Sequence, residues 1–411
     1  MSPPRHPFAI ARFRQLWLLT IVANMTALVQ AVAAAWMMTA VGSPVQVALI
    51  QSAIALPASV LALLAGALAD MADRRRMMLA SYIFMLLPAA ALAIHQQWGG
   101  ASPGALLIAC FLFGCGSALF GPAAMAHVGE SVPEYMLAEG VGAYGIGFNV
   151  ARILGPVVGG FLVGTVGPAA TLALNAIACA AMIMLLLPLE PGKGWPQPRR
   201  IVAVLKEGIG FVGTESRLWP ILARSFAFTV AASPIWALIP HLSRDRLGGN
   251  AVLYGMLMGA VGIGAILICI FLGQARRRIG VEGILGVSAV ANVLCLMGLA
   301  VADNSIVAAL LLLPLGAAWV GCLNSWNIAV QLLSPAALAG RVIGTYYTAL
   351  FAGVALGSWL WGETAERFGL TIAFAAAAVL SGLAGLAGRR WPTTVDICGE
   401  KKNKAMGGSL S

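Results

Sequence analysis

Apolar residues fall along this chain in long unbroken runs, with polar residues gathered into short breaks between them. Val45–Ala69 and Ala105–Ala126 contain no charged residue. A helix needs ~20 apolar residues to cross a bilayer. Twelve runs approach or exceed that length, near 15–38, 45–69, 77–96, 104–126, 139–163, 167–188, 218–239, 252–275, 283–301, 305–329, 341–363 and 370–388. None alternates apolar and polar residues as a membrane β-barrel strand does, so each span is expected to be a helix. The pattern predicts an all-α polytopic membrane protein with twelve transmembrane helices.

One polar break is far longer than the rest. It contains "EPGKGWPQPRR", a linker, and then "IVAVLKEGIGFV", which suits a short interfacial helix. The division this predicts is a short N-terminus (1–14), a six-helix bundle (15–189), the linker (190–217), a second six-helix bundle (218–388) and a disordered tail (389–411). The halves repeat at one offset. Trp17 recurs as Trp219, Arg74–Arg76 as Arg276–Arg278, Pro133 as Pro335, Tyr144 as Tyr346, Gly155 as Gly357, Gly160 as Gly362 and Gly167 as Gly369, each 202 residues later. Glycine matches are cheap in a chain with 48 Gly, so the Arg triplet, Trp, Pro and Tyr carry the argument. An even number of spans inserts both repeats in the same direction. The result is two pseudo-symmetric bundles, an arrangement found among secondary transporters.

Charge gives the orientation. Only 10% of residues are charged, against about 25% in soluble domains. The net charge of +10 reads as the positive-inside bias rather than as a nucleic-acid surface. Twenty of the 25 Lys and Arg residues fall at the termini, in the linker, in the two Arg triplets and at Arg341, all on one side of the expected topology. Both termini are therefore expected in the cytoplasm of a multi-pass inner (plasma) membrane protein. The first apolar run is long enough to span, so no cleavable signal is expected. Six of the seven cysteines lie inside spans, and the four histidines lack metal-ligand spacing. No P-loop and no nucleophile–base cluster is present, so neither an enzyme, a metal site nor a cofactor is expected.

Residues 66–79 read "GALADMADRRRMML". Topology accounts for the arginines but not for Asp70. Span 2 ends there, and span 11 begins on the same side near Arg341. A helix N-terminus carries partial positive charge and unpaired N–H groups. Asp70 beside it, paired with Arg341, would latch the halves together. Leu272 stands where the second repeat should have its acid. The loop before span 5 is acidic instead, with Glu130, Glu134 and Glu139, so Arg276–Arg278 are expected to face Glu134 and Glu139. Exposed pairs contribute ~0–1 kcal/mol each, weak enough for a gate that must open. The expected gate residues are Asp70, Arg74, Arg341, Glu139 and Arg276.

Gly66, Leu68, Asp70, Arg74 and Arg75 resemble the G-x-L-x-D-x-x-x-R-R/K signature between helices 2 and 3 of the major facilitator superfamily, with departures at Met71 and Asp73. "NVARILGPVVGG", from Asn149 to Gly160, resembles the G-P-x-x-G-G signature of its antiporter branches through Gly155, Pro156, Gly159 and Gly160. With "LAGRVIGTYY", the wider wording is similar to the branch holding the enterobactin exporter and macrolide efflux pumps, a drug:proton antiporter group. The resemblance implies alternating access, the Asp70 latch, and a cavity lined by helices 1, 4, 7 and 10. On those helices Asn24, Gln30, Trp236, Asn324, Trp326 and Asn327 are the substrate candidates, since amides in lipid are costly unless used.

Arg152 lies ~20 Å along the helix from Glu139, near mid-membrane, where an ionised side chain faces a cavity, a partner or neighbouring carbonyls. Arg224 is expected to snorkel to the cytoplasmic interface. No Asp or Glu lies deep in a span, which favours neutral, zwitterionic or anionic amphiphiles as cargo. The reading is a monomeric exporter of a siderophore-like or drug-like molecule, driven by the proton gradient. A lysophospholipid flippase of the same fold, with Arg152 on the phosphate, is the alternative. A non-transporting sensor is a third.

Overall fold

Prolines, glycines and short polar caps divide the chain into its helices. The computed structural model describes residues 6–71, 73–98, 102–189, 210–335 and 338–393; the side chains of some helical residues, among them Asp70, Glu130, Glu134 and Asn149, also lie outside the described set. The first half comprises α1 (Ala11–Val41), α2 (Pro44–Met71), α3 (Arg74–Trp98), α4 (Pro103–Glu130), α5 (Leu137–Val166) and α6 (Pro168–Leu186). Pro44, Pro103 and Pro168 open helices, where a missing N–H costs nothing.

In the second half α7 (Leu218–Arg246) is interrupted after Ala232, resumes at Pro234 and ends in a π turn. The next helical run, Ala251–Val301, is 51 residues long. It is two spans, α8 (251–279) and α9 (281–301), joined at Gly280 (φ 69°). The loop expected there is a single kinked residue, because glycine alone takes that left-handed conformation freely. Helices α10 (Ser305–Leu333), α11 (Ala339–Phe368) and α12 (Leu370–Gly388) complete the bundle. Asn250 and Asn304 cap α8 and α10 through their side chains. Eleven described helical segments are long and apolar enough to cross a membrane, and the kinked one crosses twice, which makes twelve.

The 202-residue repeat reappears in geometry. Gly167 has φ 84° and ψ 163°, and Gly369 has φ 84° and ψ 164°. Packing repeats as well. Within the halves α1 packs on α5 and α7 on α11; between them α5 packs on α8 and α2 on α11. A Cβ at Gly155 would meet Leu28 of α1, and one at Gly357 would meet Val230 and Ser233 of α7. A Cβ at Gly160 would lie 2.5 Å from the Ala251 carbonyl and 2.7 Å from Gly255 Cα of α8; one at Gly362 would lie 2.5 Å from Ala48 Cβ of α2. The antiporter-type glycines thus serve close helix crossings, two within halves and two between them.

Two arginines hold the last helix of each half. Arg75 Nε donates to the Leu186 carbonyl at 3.2 Å, and its Nη2 donates to Leu187. Both carbonyls lie at the C-terminus of α6, where the helix leaves acceptors open, and Leu186 also accepts from Leu189 N–H at 3.2 Å. Arg224 reaches the terminus-bearing end and is paired there. Its Nη1 and Nη2 pair with Glu282 at 2.8 and 2.9 Å, and Nη1 also donates to Thr393 Oγ1 (3.0 Å) and the Trp391 carbonyl (3.1 Å). Glu282 accepts from Thr393 N–H at 2.7 Å. Residues 391–393 of the expected tail are therefore bound to the bundle; the tail from residue 394 and most of the linker lie outside the described residues.

Candidate functional site

The contacts between the halves begin at the end of the bundle opposite the termini. Glu366, in the last turn of α11, accepts from Ser43 Oγ and from Val45 N–H (3.1 Å), and so caps the N-terminus of α2 from the other half. Arg244 donates to Thr39 Oγ1 at 3.0 Å and lies 5.8 Å from the centre of the Trp36 ring. Trp36 in turn stacks on Tyr254 at 6.2 Å. Farther along, Ser52 donates to the Ala355 carbonyl at 2.7 Å. Ser59 and Thr348 each donate a hydroxyl to the other's carbonyl, at 3.0 and 2.9 Å. Unlike the charged contacts at the end opposite the termini, these bonds midway along the helices are neutral.

Midway along α5 stands Arg152. Its guanidinium lies 5.9 Å from the Phe148 ring on its own helix and 5.8 Å from the Trp236 ring of α7, in the other half. No carbonyl and no carboxylate among the described residues accepts from it. Trp236 Nε1 is buried without an acceptor, and the ring meets Trp319 edge-on at 5.5 Å. Gly155, Pro156, Gly159 and Gly160 follow on the same helix. Gly159 packs against Val29 and Val32 of α1, and the Pro156 carbonyl would be 2.7 Å from a Cβ at Gly255.

The other cavity candidates do not converge. Asn24 donates to the Thr20 carbonyl one turn back, at 2.6 Å. Gln30 is 1% exposed and accepts from Asn175 of α6 at 2.9 Å, inside the first half. Trp326 packs edge-on against Phe228 at 5.5 Å. It lines a cavity of 30 Å³ with Arg224, Cys322 and Ser381, inside the second half and about the size of one water. Asn327 donates to Tyr347 Oη at 3.1 Å and accepts from Gln331, and Asn324 is half-buried.

At the terminus-bearing end Arg74 opens α3, Arg341 lies in the first turn of α11, and Glu139 is exposed in the first turn of α5. The Asp70 and Glu134 sides of the expected pairs, like the Asn149 side chain, lie outside the described residues. Arg76 meets Asp73 at 3.6 Å on the surface. The sequence reading missed Glu366, Glu282 and Asn175. A signal existed for Glu282: it is the one acid between Asp245 and Asp303, close after an Arg triplet.

Two half-bundles that meet through two pseudo-equivalent helix crossings define a transporter of the major facilitator type. The sequence matches, over residues 2–398, the family described as transmembrane secretion effector. The chain belongs to that family, in the efflux branch of the major facilitator superfamily, and is a multi-pass membrane transporter. A protein named multidrug efflux pump Tap, from Mycobacterium tuberculosis, is 27% identical over 384 residues, 87% of each chain. An uncharacterized MFS-type transporter, YfiS, of Bacillus subtilis is 28% identical over 388 residues, 89% of this chain and 90% of that one. The fold is similar to that of the nucleoside transporter NupG, with a TM-score of 0.75 and 15% sequence identity over 93% of this chain and 99% of that one.

Proposed function

We propose that this transporter exports a small amphiphilic molecule, drug-like or siderophore-like, from the cytoplasm across the inner membrane by alternating access. The observation that carries the reading is the pair of glycine crossings, α5 on α8 and α2 on α11, which let the halves meet closely without large side chains interlocking. The efflux relative matched over most of its length supports the direction. The positive-inside bias supports cytoplasmic termini. The proton gradient is the driving force of this reading, with carboxylates confined to helix ends as the groups that exchange protons. Asp70 with Arg341 forms the cytoplasmic latch.

Efflux from loaded proteoliposomes tests it, with a panel of drugs, siderophores and lysolipids and with or without a pH gradient. Gradient-dependent efflux of at least one drug or siderophore is expected. No flux of any compound, where a control exporter works, refutes the reading. Flux of lysolipids alone replaces it with lipid flipping.

A further inference from the structure

We propose that Arg152 and Trp236 form an anion subsite at mid-depth between the halves, which takes the carboxylate or phosphate head of an amphiphilic cargo. The proposal rests on the export reading for its direction of transport and goes beyond it in the chemistry of the cargo.

Two donors point to it. The Arg152 guanidinium lies beside two aromatic rings, Phe148 at 5.9 Å and Trp236 at 5.8 Å, with the Cys269 thiol also near. Ring faces attract the cation but accept no conventional hydrogen bond, and no described residue accepts from its five N–H groups. The Trp236 indole N–H beside it is buried without an acceptor. Leaving such donors unmet in a low-dielectric interior is costly. Among the described residues no counter-ion is offered: the acidic residues there lie near helix ends or between helices. An oxyanion supplies what is missing. Its oxygens match the planar guanidinium fork in bidentate fashion and can accept from the indole as well. Phe148, Trp236 and Trp319 then lie beside the apolar part of the same molecule. The charge is one-sided, because the residue 202 positions after Arg152 is Val354.

The test is equilibrium binding to the full chain in lipid nanodiscs, with empty discs subtracted. The probes share one pyrene-butyl body and carry a carboxylate, a phosphate, an alcohol or a trimethylammonium head. Wild type is expected to bind one or both anions more tightly than the alcohol, and the cation least. The better of the two anions identifies the head group. Arg152→Gln should weaken anion binding about tenfold or more and leave the alcohol unchanged. Arg152→Lys should keep the preference for anions, and Trp236→Phe should lose part of it while keeping the ring. Equal binding of alcohol and anion by wild type overturns the proposal, whether or not Arg152→Gln folds. So does an anion affinity unchanged in Arg152→Gln. Gradient-driven flux of neutral compounds with no charge preference would sink the subsite and leave export standing. Charge-selective binding without flux would do the reverse.

Discussion

Replacing Gly160 with alanine inserts one methyl group into the α5–α8 seam. That carbon would lie 2.5 Å from the Ala251 carbonyl oxygen, 2.7 Å from Gly255 Cα and 2.9 Å from Gly255 N. All three are backbone atoms, so no side chain can swing aside. A relaxed contact needs about 3.5 Å, so the helices must part by roughly 1 Å. Overpacking of this kind costs about 1–3 kcal/mol. If the cost falls on the state in which this seam is closed, the balance between states moves by roughly 5- to 150-fold. The assay is labelling of Val252→Cys, beside Gly164 in the same seam, by a membrane-impermeant maleimide in a background without reactive native cysteines. Labelling should rise and flux should fall. Gly142→Ala is the control: Gly142 lies on the same helix with nothing within 4 Å of its would-be Cβ. It should be neutral or slightly stabilising, because alanine is the better helix former. If Gly142→Ala is as harmful as Gly160→Ala, the glycines supply flexibility and not space. Wild-type labelling in Gly160→Ala refutes the argument outright.

Arg224→Leu or Glu282→Gln should each lower the unfolding temperature in detergent by the equivalent of about 1–3 kcal/mol, since one partner is largely buried and the other partly exposed; the double variant should be little worse than either, and simple additivity would show the pair to be uncoupled. Glu366→Gln should weaken the cap on α2 by about 0.3–1 kcal/mol and speed Val252→Cys labelling; unchanged labelling would show that closure at the end opposite the termini does not depend on that charge. Asn175→Ala strands the Gln30 amide in the first half, at a cost of about 1–3 kcal/mol in thermal stability. Adding Gln30→Met should recover part of that loss, and no recovery would mean that the cost comes from the cavity left by Asn175.

The helices were legible because a bilayer forces each span to show its length as an apolar run, and the duplication because Trp, Pro and Arg recur at one offset. The glycine crossings were legible as a motif but not as contacts: nothing in "GPVVGG" says that Gly155 faces α1 and Gly160 faces α8. Boundaries moved where one residue does the work of a loop, as at Gly280. The long-range polar pairs were not legible. Arg224 and Glu282 are 58 positions apart and Gln30 and Asn175 are 145 apart, and each pair is made by helices that adjoin only after packing. Arg75 looked like a topological marker because its acceptors are backbone carbonyls, which leave no trace in residue identity. Arg152 was visible as a charge out of place. That aromatic rings and not carbonyls surround it depends on α7 approaching from the other half.

In a six-helix half, every internal helix has a covalent connector at both of its ends. The sixth lacks one at the end where the chain leaves. Arg75, at the start of α3, holds the last carbonyls of α6; Arg224, in α7, holds the residues just past α12. The two arginines are not repeat-equivalent, yet each stands in for a missing loop. A chain severed between residues 190 and 209 would therefore yield two fragments in which the sixth helix stays fastened at both ends.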